Sequence, residues 1–230
     1  MMINEHLFTD YEELQIALTE RFISTLSKAL VDNGHAVVAV PGGATPVPLF
    51  QTLAKQDFDW SNITFMLTDE RWVKNTHSDS NENLLRRHFL DATQARFIPL
   101  KSEASTASEG QEITEKKLQH ILFPTDICLL GMGEDGHIAS LFPEAPELVK
   151  ALDMQSKQLC IAITPPNMEQ ERLSLTLNAL LNTRQLILLI KGDKKRKIYL
   201  EAKDAADNII SPIGHILHQS QAPIDVYWTA

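Results

Sequence analysis

Apolar side chains recur at Tyr11, Leu14, Leu18, Phe22, Leu26 and Leu30, three or four positions apart, so they fall on one face of an α-helix. Thr9 and Glu12 stand ahead of them in the T-x-x-E spacing of a capping box. Asn33-Gly34 supplies a stop, so one helix is predicted between these signals. The next apolar run, "HAVVAV" at 35–40, is unbroken, which predicts a strand covered on both faces. Thr45 and Pro46 then read as the N-cap and first position of a second helix.

Strands and helices go on alternating. "ITFML" (63–67) precedes a helix near Asn81 to Leu90, and "ICLLG" (127–131) follows one near Ser108 to Leu122. "QLILLI" (185–190) leads into the helical "DKKRKIYLEA", while "LCIAIT" (159–164) and "IDVYW" (224–228) add two strands. This alternation predicts an α/β fold: a single-domain, open, mostly parallel sheet with helices on both faces, spanning residues 1–230. The polar stretch "KSEASTASEGQE" (101–112) reads as a surface loop entering a helix rather than as a linker.

Composition narrows the partners. Hydrophobic residues make up 43% of the chain, enough for a full core. Lys and Arg total 21 against 30 Asp and Glu, a formal net charge of -9, which opposes general attraction to nucleic acid or an anionic membrane. An anionic small molecule then needs a local positive cluster. Cys128 and Cys160 lie in apolar runs, with no CxxC and no Cys/His pair at zinc spacing, so buried free thiols in a reducing compartment are expected. The N-terminal "MMINEHLFTDYEEL" is acidic and no stretch approaches a membrane span. Neither a signal peptide nor a transmembrane segment is expected, and the protein reads as cytoplasmic.

In open parallel sheets ligands gather beyond the carboxyl ends of the strands. After the first predicted strand, "PGGATP" (41–46) offers backbone N–H groups at Gly42 and Gly43, and a hydroxyl at Thr45. It lacks the GK[ST] of a phosphate-binding loop, so a tight turn remains the alternative. After the second, "TDERW" (68–72) sets Asp69 and Arg71 two positions apart in an extended segment, hence on one side; solvated loop charges are the plainer alternative. "KGDKKRK" (191–197) places Lys194, Lys195, Arg196 and Lys197 in a first helical turn, where the helix dipole disfavours cations unless an anion binds.

"LLGMGEDGHIASLFP" (129–143) holds Gly131, Gly133 and Gly136 in the spacing G-x-G-x-x-G. A dinucleotide fingerprint belongs in the first βα turn, with an acidic residue closing the next strand. Here at least two strand-helix units come first, the next strand ends "ITPP", and Asp135 would meet the pyrophosphate, so NAD is not expected. Asp135 and His137 instead form a D-x-H pair: the carboxylate fixes one ring nitrogen while the other faces substrate, the equipment of a general base. An Asp that merely caps the turn is the alternative. His215 and His218, at i and i+3, lack an acidic or thiol partner for a metal site and read as surface residues. No G-x-S-x-G elbow is present.

Five segments, "AVPGGATPVPLF", "LTDERWVKNTHSDSNENLLRR", "LLGMGEDGHIASLFP", "RLSLTLNALLN" and "LIKGDKKRKIYLEA", in this order from about residue 36 to 201, resemble the 6-phosphogluconolactonase family. That resemblance implies a sheet of the ribose-5-phosphate isomerase-like, modified Rossmann kind. It also implies hydrolysis of a sugar-phosphate lactone without metal, nucleotide or other cofactor, by a monomer or small homo-oligomer. It gives His137 the role of the base that activates water and Asp135 that of its neighbouring carboxylate. Arg71 and Lys195 match positions that contact the substrate phosphate; Gly42, Gly43, Thr45, Asp69 and Arg172 match further substrate-site positions. The chain has Pro41-Gly42-Gly43-Ala44 where the family often has Ser-Gly-Gly-Ser, so two hydroxyls are missing.

The related amino-sugar-phosphate deaminases typically read "DEY" and "DGHIAFNEP" where this chain has "DER" and "DGHIASLFPE", which favours the lactonase. A sugar-phosphate sensor domain would add a helix-turn-helix, and only one helix is predicted ahead of the first strand.

Overall fold

The computed structural model describes residues 3–121, 123–166, 168–205 and 211–230. The chain opens with β1 (Ile3–Phe8), α1 (Tyr11–Asn33), β2 (Ala36–Val40), α2 (Val47–Leu53), β3 (Ile63–Leu67), β4 (Asp69–Arg71) and α3 (Asn81–His88). It continues with β5 (Arg96–Ile98), α4 (Ala107–Leu118), β6 (Ile127–Leu130), α5 (Leu148–Ala151), β7 (Cys160–Ile163) and β8 (Arg172–Leu175). Then come α6 (Leu177–Leu181), β9 (Leu186–Lys191), α7 (Asp193–Asp204), α8 (Pro212–Leu217) and β10 (Ile224–Thr229).

Seven strands form one sheet in the order β1-β10-β9-β6-β2-β3-β5, with every neighbouring pair parallel. β2 and β6 are buried along their whole length, as unbroken apolar runs require. Helices flank the sheet: α1 packs on β1, β2 and β10, and α7 on β9. The α1 stripe does what its spacing predicts, with Leu14, Leu18, Phe22 and Leu26 fully buried. From β2 the chain moves to β3 on one side, while β6 lies on the other side with β9 beyond it. The β2–β6 boundary is therefore the switch point where the carboxyl-end loops diverge and leave a crevice.

The strand predicted at 159–164 does not join this sheet. β7 pairs antiparallel with β8, and β8 with β4, as a separate three-stranded sheet. A buried apolar run states that it is covered, not by what. Helix starts also shift. The N-cap of α1 is Asp10, whose side chain accepts the Glu12 N–H at 2.7 Å, so the Thr9–Glu12 capping box does not form. Pro46 rather than Thr45 is the residue ahead of α2, without a side-chain cap. A capping box does exist at α4, between Thr106 and Glu109. α3 ends at His88, two residues short of the prediction, and the end predicted for α4, Leu122, lies outside the described residues.

Candidate active site

The loops after β2 and β6, together with β4, β8 and the starts of α3 and α7, enclose a cavity of about 350 Å³. Gly42, Gly43, Thr45, Asp69, Arg71, His137, Arg172 and Lys195 all line it. Asp135 does not; it stands behind His137. Its Oδ1 lies 2.6 Å from His137 Nδ1 and also accepts the His137 backbone N–H at 3.1 Å. This clasp keeps a proton on Nδ1 and leaves Nε2 as the acceptor. The ring leans on Phe142, with centroids 4.5 Å apart.

Gly133 makes that geometry sterically possible. A Cβ there would sit 2.2 Å from His137 Cε1 and Nδ1 and 2.6 Å from Asp135 Oδ1. The glycine spacing that resembles a dinucleotide fingerprint thus makes room for an imidazole. Gly133 and Gly136 also commit their amides to the turn, to His137 O at 2.9 Å and Gly133 O at 3.2 Å, so neither is free to donate to a developing oxyanion.

Arg71, Arg172 and Lys195 give the cavity a positively charged wall. Arg71 and Arg172 stand directly opposite each other on β4 and β8, a like-charge pair that is unfavourable on its own. Arg172 is 8% exposed; Nη2 meets the Met168 Sδ at 3.5 Å and Nε is buried without a partner among the described residues. Burial and the Arg71 charge push its guanidinium below its ordinary value, against the pull of Asp69 and Glu70. Arg71 is braced by Asn81 Oδ1 at 2.5 Å and Asp79 O at 2.9 Å. Of the four cations predicted in the first turn of α7, three are engaged elsewhere: Lys194 with Glu134 at 2.5 Å, Arg196 over Trp228 at 4.1 Å, and Lys197 with Glu201 at 3.8 Å. Lys195 lines the cavity.

Glu70 holds the wall in place. Buried, it accepts from the backbone N–H groups of Arg71, Asn81 and Glu82 at 2.7–2.8 Å and from Ser80 Oγ at 3.0 Å, tying β4 to the start of α3. Burial pushes its carboxyl up, with these donors pulling it back. Asn81 also donates to Asp69 O at 2.8 Å, and it fits beneath Gly42, where a Cβ would fall 1.8 Å from Asn81 Oδ1. Asp69 itself accepts from Ser140 Oγ at 2.5 Å. Asn81, Ser140 and Met168 also line the cavity, and nothing in their residue type or spacing marks them in the sequence. Thr45 turns its carbonyl to Tyr11 Oη at 2.5 Å. His215 and His218 are half-buried rather than surface residues, and His218 Nε2 contacts Ala202 O at 2.9 Å.

The chain belongs to the family described as "Glucosamine-6-phosphate isomerases/6-phosphogluconolactonase", which matches residues 9–228. It is 38% identical over 205 residues to a 6-phosphogluconolactonase of Pseudomonas aeruginosa, covering 88% of this chain and 85% of that one. A 6-phosphogluconolactonase of Rhizobium meliloti is 34% identical over 230 residues, 99% of each chain. The crystal structure of a 6-phosphogluconolactonase from Shewanella baltica superimposes with a TM-score of 0.93 at 36% identity, covering 100% of this chain and 98% of that one.

Proposed function

We propose that the chain hydrolyses 6-phospho-D-glucono-1,5-lactone to 6-phospho-D-gluconate in the pentose phosphate pathway. The observation that carries this reading is the pairing, in one cavity, of an Asp135-clasped His137 with the cations Arg71, Arg172 and Lys195. A δ-lactone is an activated ester, so catalysis needs a positioned water, a base and an anchor for the remote phosphate. His137 Nε2 takes a proton as the water oxygen bonds to C1. The tetrahedral intermediate then collapses with cleavage of the bond from C1 to the ring oxygen, and the imidazolium returns its proton to that leaving oxygen. The product acid ionises and releases the proton that an assay reads. Arg71 and Lys195 hold the phosphate, and Arg172 extends the positive wall.

The small-molecule substrate needs no nucleic-acid or membrane partner, and the buried free thiols Cys128 and Cys160 fit a reducing, cytoplasmic setting. Purified protein added to freshly made 6-phosphogluconolactone should release acid faster than the spontaneous reaction, while glucosamine 6-phosphate, assayed in parallel, should yield no ammonia. Ammonia release without lactone hydrolysis would overturn the reading in favour of a deaminase.

A further inference from the structure

The turn after His137 is built in an unusual way. Ala139 has φ 47°, in the left-handed region that residues with a side chain rarely adopt, within a tight reversal closed by the Leu141 N–H on Ile138 O at 2.9 Å. An observed outlier of this kind beside a cavity calls for a reason. What the turn delivers is Ser140. Its side chain is buried, its backbone N–H donates to Ser174 Oγ at 3.2 Å, and its hydroxyl donates to Asp69 Oδ2 at 2.5 Å. Ser174 sits directly opposite Asp69 in the β4–β8 register, so the turn is clamped to the strand pair that carries Asp69 and the two arginines.

We propose that Ser140 is a positioning residue that fixes the Asp69 carboxylate as an acceptor for a hydroxyl of the sugar lactone, an inference that rests on the lactonase reading above. Asp69 is 7% exposed and lines the cavity. With Oδ2 taken by Ser140 and Oδ1, among the described residues, in only a long contact with Thr68 Oγ1, at 3.4 Å, one oxygen retains acceptor capacity for a substrate O–H. A short bond to a carboxylate is strong enough to define the rotamer.

The test is a double-mutant cycle of Ser140→Ala and Asp69→Ala, with KM and kcat measured on 6-phosphogluconolactone and folding followed by thermal melting. Ser140→Ala is expected to raise KM about tenfold, the effect of one lost hydrogen bond to a charged group, with kcat within about threefold. In the Asp69→Ala background the same substitution should add less than about twofold, because its route of action is gone. If Asp69→Ala does not fold, Asp69→Asn serves as the second background, and Ser140→Ala should cost less there than in the wild type. An undiminished cost in the second background, an unchanged KM, or a fall in kcat at constant KM would overturn the proposal. Failure of the lactonase reading would show separately, as wild-type protein without lactone hydrolysis.

Discussion

His137 and Gly133 compete for the same volume, and that competition is testable one atom at a time. In Gly133→Ala the new methyl, 2.2 Å from the ring, must displace the imidazole from Asp135, while the backbone has no need to move. The expected result is a melting temperature within a few degrees of wild type and a kcat lowered by at least about tenfold, since a misplaced base loses much of its effect. Wild-type kcat in Gly133→Ala would show that the ring does not work from the observed position. At this scale much of the lining of the candidate site was legible in the sequence. The D-x-H spacing and the cations at strand ends are chemically conspicuous, whereas Ser140 and Asn81 are not. The charge pattern alone does not say which of Lys194, Lys195, Arg196 and Lys197 faces the cavity, because that depends on Glu134, Trp228 and Glu201 engaging the other three; the family resemblance singles out Lys195, and Lys195 lines the cavity.

Elements obey finer rules than periodicity. The two acceptors ahead of α1, Thr9 and Asp10, are adjacent, and the structure assigns the cap to the second. Asp10→Ala should cost about 1 kcal/mol in urea unfolding and Thr9→Ala close to nothing; the reverse order would restore the T-x-x-E reading. β1 shows a second limit. Its alternation of exposed and half-buried residues is too weak to mark a strand, yet it adds to the sheet beside β10 and is tied to α7 by Glu5. Glu5 Oε1 accepts from Tyr199 Oη at 2.5 Å and Lys203 Nζ at 2.8 Å. Lys203 first, then Tyr199, hold its carboxyl below the ordinary 4.5. A depressed carboxylate stabilises the fold above its unfolded value and loses that contribution as pH falls through the folded one. Glu5→Gln should therefore lower the melting temperature at neutral pH, with the gap closing well below pH 4.5. A gap that stays constant with pH would contradict this.

For the molecule as a whole, class was readable and arrangement was not. Unbroken apolar runs separated by helices lead to a parallel sheet, but nothing in "LCIAIT" distinguishes a strand of that sheet from one in the small antiparallel sheet that carries Asp69, Arg71 and Arg172. That second sheet sets two guanidiniums opposite each other, and its β4 and β8 fall outside the predicted strands. In the proposed mechanism chemistry, on the β6 loop, is separate from anchoring, on β4, β8 and α7. Steady-state kinetics of His137→Ala beside Lys195→Ala and Arg71→Ala tests this separation most directly. After subtraction of spontaneous hydrolysis, His137→Ala should lower kcat by about 10² to 10⁴ with KM nearly unchanged. Each cation variant should lower kcat/KM by about 10- to 150-fold, mostly through KM. Wild-type kcat in His137→Ala would contradict the account, because the D-x-H pair would then be structural and another group the base.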